Sequence, residues 1–239
     1  MTHTGGFGYA FCNRTLADLN EALIKREVLL YDPGTQWTYG VGINILGQVI
    51  EAITEQSLAA CLTRRIFEPL GMTDTSFSVP ETKRSRLPTA YVRSENGFVV
   101  YPDESTRKPT GGGGLHATAE DYARFLRMLL NRGKTDERRI LSEASVEAMI
   151  TNRIGDVPVP AMPATSSMSA GWLPLDGTEQ FGLGFLLAGT SKPGFRAKGS
   201  YSWAGIANTF FWVDPDRDLA ATLLIQVLPF CDKPTHQPL

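Results

Sequence analysis

A tyrosine that could act as a base lies in the segment before the first long helical pattern. Residues 33–41 begin with a Pro-Gly turn and place Trp37 and Tyr39 ahead of that helix. A tyrosine removes a proton efficiently only when a nearby cation lowers its pKa from about 10. The neighbouring sequence supplies no such cation, and a tyrosine of this kind is more often a packed aromatic. Tyr39 is therefore a candidate catalytic residue that needs support from elsewhere in the chain.

A second candidate site lies where small residues lead into a predicted hairpin. Residues 199–206 include Trp203, Ala204, Gly205 and Ile206. Small residues at the entry of a strand allow a ligand to approach the backbone closely. A plain turn with an aromatic side chain packed over it explains the same pattern, and from these residues alone it is the preferred explanation.

Two other motifs are weaker. The four glycines at 111–114 lack the Lys-Ser or Lys-Thr of a phosphate-binding loop, so they predict a closely packed turn with unusual φ angles. The sequence has one Ser-x-x-Lys run, from Ser105 to Lys108, in a polar stretch. Pro109 disfavours a helix at the lysine that precedes it. This context argues against Ser105 as a nucleophile.

Composition excludes several classes of function. The chain has 239 residues, with 23 basic and 25 acidic side chains, so there is no basic field for nucleic acid. No apolar run reaches the roughly 20 residues of a membrane-spanning helix, and the first residues do not resemble a signal peptide. Three cysteines and three histidines fall into no metal-binding spacing. We therefore expect no metal and no cofactor, and the sequence assigns no compartment.

Helical patterns dominate residues 1–150. Apolar residues recur at helical spacing after Gly42, and shorter helices are predicted to start at Ser57, Thr118 and Ser142. Ser57 is a good N-cap, and Thr118 opens a sequence close to a capping box. Residues 178–230 change character: they predict strands at 181–187, 206–213 and 219–228, the last two joined by an Asp-Pro-rich turn at 214–218. Residues 155–177 predict an irregular loop. The whole chain, 1–239, is expected to form one α+β domain in which helices flank an antiparallel sheet.

Four stretches, in order, carry a family resemblance. They are residues 2–9, 33–47 with 66–75, 111–115 with 118–130, and 203–215. The run EPLGMTDT at 68–75 and the pattern GGGGLxxTxxDxxRF at 111–125 are specific. The chain resembles the serine β-lactamase-related family, which includes D,D-peptidases, and most closely its family VIII carboxylesterase branch near the class C β-lactamases. The resemblance implies a β-lactamase/transpeptidase-like fold, incomplete in this chain.

The resemblance also implies site residues. The family uses a Ser-x-x-Lys nucleophile motif, a Tyr-x-Asn motif and a Lys-Thr-Gly strand. Tyr39-Gly40-Val41 matches the second motif, which implies that Tyr39 is the general base. Trp203-Ala204-Gly205 matches the third, and the Ile206 N–H would be an oxyanion donor. Val41 stands where lactamases keep Asn, and Trp203 where they keep Lys. Both departures favour a small ester over a β-lactam.

Three functions stay open at this point. The family function is hydrolysis of a small ester through an acyl-enzyme, and the alternative enzyme is a β-lactamase or D,D-peptidase. We expect the Ser-x-x-Lys segment to be missing, because the family places it upstream of the stretch at residues 3–6, and the chain end to be shortened. The third possibility is therefore an inactive fragment or pseudo-enzyme that acts by binding, with self-association through an uncovered sheet.

Overall fold

The computed structural model describes residues 1–19, 28–102, 108–173, 175–191 and 193–231. Its α-helices, numbered along these residues, are α1 (Arg14–Ala17), α2 (Gly42–Thr54), α3 (Leu58–Leu62), α4 (Glu68–Leu70), α5 (Ala119–Leu130) and α6 (Glu143–Ile150). Its strands are β1 (Tyr91–Ser94), β2 (Gly97–Val100), β3 (Gln180–Phe181), β4 (Leu186–Leu187), β5 (Tyr201–Gly205), β6 (Thr209–Asp214), β7 (Leu219–Leu224) and β8 (Val227–Leu228).

Helix α2 follows the Tyr39 segment and confirms the helix that the apolar spacing predicts. It ends at Glu55, which adopts the left-handed conformation with a φ of 52°. Gly47 is buried, whereas Val49 and Ile53 are 44% and 77% exposed. The described residues therefore leave part of the apolar surface of α2 uncovered.

The three shorter helical predictions are also confirmed, and the caps expected at Ser57 and Thr118 are present. The Ser57 hydroxyl accepts the Ala60 N–H before α3, and a π-helical turn (Thr63–Phe67) continues α3 into α4. Likewise, Thr118 accepts the Asp121 N–H at the start of α5. The capping residues of α3, α5 and α6 (Ser57, Thr118 and Ser142) satisfy backbone N–H groups that a helix leaves unpaired.

The larger sheet has the strand order β3-β4-β5-β6-β7 among the described residues, and every pairing in it is antiparallel. Strands β5 and β6 pair from Tyr201 opposite Val213 to Gly205 opposite Thr209. The predicted turn at 214–218 joins β6 to β7, and its Asp214 carboxylate accepts hydrogen bonds from Arg217 and from the Ala197 N–H. This sheet carries the candidate binding strand, β5.

The boundaries of all three predicted strands were wrong, each for a backbone reason. Residues 181–187 form the hairpin of β3 and β4, because Gly184 turns the chain with a φ of 95°. The strand predicted at 206–213 begins only at Thr209, since Asn208 has a φ of 57°. The strand predicted at 219–228 is interrupted at Gln226, which has a φ of 65°. Positive φ angles of this size are incompatible with an extended strand.

A smaller sheet, which the sequence did not predict, connects the front of the chain to the back. Strands β1 and β2 form an antiparallel hairpin, and β1 also pairs in parallel with β8, with Tyr91 opposite Val227. Sheet structure is therefore not confined to residues 178–230.

The main core lies between α5 and the larger sheet. Leu126 and Leu129 of α5 are 1% exposed, and they belong to one cluster with Tyr201 of β5 and Val213 of β6. Helices packed beside antiparallel sheets make this an α+β fold, as the sequence predicts.

Candidate functional site

Tyr39 lies on an extended segment that ends at the first turn of α2, and hydrogen bonds hold its backbone on both sides. The Thr38 N–H donates to the His3 carbonyl at 2.8 Å, and the Gly40 N–H faces the His3 Nδ1 at 3.4 Å. The Tyr39 carbonyl accepts the Tyr9 N–H at 3.2 Å. The residues before α1 therefore fix the position of this tyrosine.

Strand β5 presents the second set of predicted site residues. Trp203, Ala204 and Gly205 pair with the first three residues of β6. Gly205 packs so closely on Thr209 that a Cβ there would clash with the Thr209 hydroxyl. Ile206 follows in the turn and is 39% exposed. Within the described residues its N–H has no hydrogen-bond acceptor, so it is a free donor at the end of the strand.

The fold brings the two predicted motifs together. The rings of Tyr39 and Trp203 lie 5.3 Å apart, centroid to centroid, at 60°. The sequence separates them by more than 160 positions, so their contact depends on long-range packing. Both rings are in contact with the ring of Trp172, at 5.7 Å and 6.3 Å.

Further aromatic rings complete this wall, and sequence reasoning did not assign them to the site. The ring of His3 lies 4.9 Å from that of Tyr39 and 6.0 Å from that of Trp203. Other rings in contact with this group belong to Tyr9, Phe11, Trp37 and Phe181. His3 stood inside a stretch that carries the family resemblance, which was the available signal, but it was considered only as a metal ligand.

Burial raises the pKa of Tyr39 above its ordinary value, and the nearby Tyr9 and Cys12 act in the same direction. A hydrogen bond with the Trp203 side chain opposes the rise. No cation among the described residues contributes to this pKa. The hydroxyl is therefore protonated at neutral pH in this arrangement, and a base role requires an added cation beside it.

Hydrogen bonds of the Asn44 side chain connect the glycine run with Tyr9, beside Tyr39. The Asn44 amide donates to the Tyr9 hydroxyl at 3.3 Å, and its Oδ1 accepts the Gly112 N–H at 2.6 Å. Gly111 lies so close to α2 that a Cβ there would clash with the Ile43 carbonyl, and Gly114 has a φ of 93°. Close packing and unusual φ were both predicted for this run, and both are confirmed.

The described residues offer little else that could act as a nucleophile or metal ligand. The Cys12 thiol lies 3.8 Å from the Tyr39 carbonyl, but burial raises its pKa to about 12, so it is an inert thiol. Ser105 falls outside the described residues. Across the described residues there is no cluster of three or more His, Cys, Asp or Glu side chains for a metal, and no helix is long and apolar enough to cross a membrane.

Comparison with known proteins places this geometry in context. Residues 1–235 match the family model described as Beta-lactamase. Protein Rv1367c of Mycobacterium tuberculosis is 32% identical over 96% of this chain and 61% of its own length. The lovastatin esterase of Penicillium rubens is 28% identical over 96% of this chain and 63% of its own length. The chain thus spans less than two thirds of these relatives.

A solved structure supports the fold. The simvastatin synthase LovD from Aspergillus terreus, as its LovD6 mutant, superposes with a TM-score of 0.80 over 98% of this chain and 61% of that chain. The two sequences are 24% identical. The described residues therefore adopt the β-lactamase/transpeptidase-like fold that the sequence predicts.

Proposed function

This chain belongs to the Beta-lactamase family, and we propose that it forms part of a serine hydrolase that cleaves small neutral esters through an acyl-enzyme. Tyr39 is the general base in this proposal, and Trp203, Ala204, Gly205 and Ile206 line the substrate-binding site. The similarity to lovastatin esterase, a relative named for ester hydrolysis, supports this class of reaction.

One observation carries the proposal: the 5.3 Å contact between the rings of Tyr39 and Trp203. A base and a substrate-binding strand must lie on the two sides of the same reacting carbon. The contact brings the Tyr39 ring against Trp203 of β5, which supports a base beside this strand. The free N–H of Ile206 at that end suits an oxygen that becomes negative.

The walls of the site favour an uncharged substrate. Trp203 stands where a lactamase would keep a lysine, and the rings around it come from His3, Trp172 and Phe181. A carboxylate among these apolar rings would lose its hydration without gaining an ion pair, which is costly. An ester with a neutral acyl group pays no such penalty.

In the reaction that we propose, a serine oxygen attacks the ester carbonyl carbon and the alcohol leaves. Tyr39 takes the serine proton and passes it to the departing alcohol, while the Ile206 N–H holds the oxyanion. Water then attacks the acyl carbonyl and releases the acid. The family's lysine would lower the pKa of Tyr39 by its charge, which is the cation that the described residues lack.

We further propose that the catalytic Ser-Lys pair is not among these 239 residues. Ser105 is the one serine here with a lysine three residues later, and Pro109 disfavours the helix that the pair needs. Groups that bind substrate and oxyanion give only a small residual rate without a nucleophile.

The test compares two proteins, one expressed from the full coding sequence and one limited to these 239 residues. We expect the first to hydrolyse p-nitrophenyl acetate in preference to nitrocefin, with activity lost in Tyr39→Phe. The second should be nearly inactive. A faster nitrocefin reaction would favour a β-lactamase, and robust turnover by the 239 residues that disappears in Ser105→Ala would contradict the assignment of the nucleophile.

A second candidate function is self-association through the uncovered edge of the smaller sheet. Among the described residues strand β2 is that edge, and its Phe98, Val99 and Val100 are 55%, 58% and 62% exposed. An apolar edge strand is a template for pairing with another chain. Light scattering on the 239-residue chain tests this: we expect a dimer or larger species that Val99→Lys dissociates, and a clean monomer would contradict it.

A further inference from the structure

His3 contacts both neighbours of Tyr39 in the chain. Its carbonyl accepts the N–H of Thr38 at 2.8 Å, and its Nδ1 faces the N–H of Gly40 at 3.4 Å. One residue thus accepts or faces a backbone N–H on each side of Tyr39, at Thr38 and at Gly40. A substitution that leaves the carbonyl in place removes only the bond to Gly40.

The conformation of His3 is unusual for a non-glycine residue. Its φ is 57°, in the left-handed region that most side chains avoid. This backbone turn presents the carbonyl and the imidazole of His3 to the same short segment. A costly conformation that persists at one residue indicates that the surrounding contacts require it.

The imidazole also packs against both aromatic residues of the candidate site, Tyr39 and Trp203. Its ring meets that of Tyr39 edge to face at 4.9 Å and 69°. The same ring is nearly parallel to that of Trp203, at 6.0 Å and 19°. The rings of Trp37 and Phe181 lie 5.7 Å and 5.4 Å away and close the remaining sides. A smaller side chain at position 3 would leave room for Tyr39 to turn.

The protonation state of His3 is set by its surroundings. Burial lowers its pKa from 6.5 to about 3, so the ring is neutral at neutral pH. A neutral imidazole can accept at Nδ1 only when its proton is on Nε2. The Gly40 N–H therefore selects this tautomer.

We propose that His3 is a positioning residue for Tyr39: it holds the tyrosine hydroxyl against the end of β5 through the Gly40 N–H and through packing between Tyr39 and Trp203. This inference rests on the proposed function, because it gives Tyr39 a hydroxyl that must be placed. His3 itself does not touch the reacting atoms in this proposal. Among the residues that the structure describes, no other residue forms hydrogen bonds with the backbone of both chain neighbours of Tyr39.

Two substitutions separate the hydrogen bond from the rest of the ring. His3→Asn keeps an acceptor near the Nδ1 position, and asparagine tolerates a positive φ. His3→Leu keeps an apolar volume and removes the acceptor. His116→Asn is a matched control, since the backbone of His116 pairs with that of Ser76 rather than with the segment around Tyr39.

The kinetic experiment uses the protein from the full coding sequence and p-nitrophenyl acetate. We expect His3→Leu to lower kcat by about tenfold or more with little change in KM, because misplacing a catalytic group acts on the transition state. His3→Asn should recover most of kcat, and His116→Asn should match the parent. Equal kcat in His3→Leu and the parent would overturn the inference, while loss of activity in Tyr39→Phe would still support the proposed function.

A spectroscopic experiment tests the inference without any turnover. Fluorotyrosine placed at position 39 should give one sharp ¹⁹F resonance in the parent and in His3→Asn, and a shifted or broadened one in His3→Leu. In the unmutated protein, ¹⁵N NMR of the His3 ring should show an unprotonated Nδ1 that stays so between pH 5 and pH 8. A protonated Nδ1, or a Tyr39 resonance unchanged in His3→Leu, would overturn the inference even if the protein has no esterase activity.

Discussion

The Asn44 side chain bridges two segments that are far apart in the sequence: its amide donates to the Tyr9 hydroxyl at 3.3 Å, and its Oδ1 accepts the Gly112 N–H at 2.6 Å. Asn44 lies in the first turn of α2, five residues after Tyr39. A single residue therefore ties the residues before α1 and the glycine run to the helix that follows the candidate base.

Replacing Asn44 by Ala should destabilise the fold, because it leaves the Gly112 N–H and one side of the Tyr9 hydroxyl without a protein partner. Each such loss costs about 1–3 kcal/mol where water does not substitute, and Gly112 is exposed enough to favour the lower end. Urea unfolding measures the change. Gln48→Ala on the same helix is exposed and should stay within about 0.5 kcal/mol of the parent; equal effects of the two substitutions would contradict the bridge.

The glycine run allows a sharper comparison between neighbouring positions. A Cβ on Gly111 would clash with the Ile43 carbonyl of α2, whereas a Cβ on Gly113 would meet nothing within 4 Å. Neither residue has a positive φ, so conformational strain does not enter. We expect Gly111→Ala to cost about 1–3 kcal/mol of unfolding free energy through overpacking.

Gly113→Ala is the matched control, and it should be neutral or stabilise the fold by up to about 1 kcal/mol, since alanine restricts the unfolded chain. Thermal unfolding followed by circular dichroism distinguishes the pair. Similar losses of stability from both substitutions would show that the close contact of Gly111 with α2 is not the reason for a glycine at this position.

The lowered pKa of the buried His3 predicts how the stability of the fold depends on pH. Its pKa is 6.5 in an unfolded chain and falls to about 3 through burial in the folded one. Between these values the unfolded chain binds more protons at His3, so stability falls as the pH decreases from 6.5 towards 3. The contribution has a slope of at most about 1.4 kcal/mol per pH unit. The rings that face His3 belong to Trp37, Tyr39, Phe181 and Trp203, and none of them titrates in this window. The positive N-terminus of Met1 also lowers the pKa of His3, less than burial does.

The measurement is the urea midpoint of the parent and of His3→Asn between pH 4 and pH 8. The difference between the two proteins should favour the parent most above pH 6.5 and shrink steadily below it. A difference that does not change with pH would show that the pKa of His3 is the same in the folded and the unfolded protein.

Local patterns allowed much of the fold to be predicted from the sequence, and long-range pairing explains most of what was missed. Helix α2 and the caps at Ser57 and Thr118 depend on residues a few positions apart, so spacing predicts them. The parallel pairing of Tyr91 with Val227 joins residues that no local pattern connects. The β1–β2 hairpin did carry a signal, the Asn96-Gly97 pair, which is typical of tight hairpin turns.

The residues of the candidate site fall into the same two groups: those that local motifs predict, and those whose place depends on long-range packing. Tyr39 and Trp203 were found through motifs, each of which is a short run of residues. His3 and Trp172 were not, because their place beside Tyr39 follows from how distant segments pack. The strand boundaries failed where Asn208 and similar residues adopt a positive φ that their residue type permits but does not demand.

Trp203→Lys tests the substrate class that we propose for this site. The substitution restores the residue of the lactamase strand, but it places an ammonium among the rings of His3, Tyr39, Trp172 and Phe181. Without a carboxylate partner there, desolvation of the charge should lower stability and reduce kcat/KM for p-nitrophenyl acetate by about tenfold or more. Trp203→Phe, which keeps an aromatic wall, should lose much less. Ester hydrolysis that is unchanged in Trp203→Lys, with no gain in nitrocefin hydrolysis, would mean that the tryptophan is not what directs the site towards neutral esters.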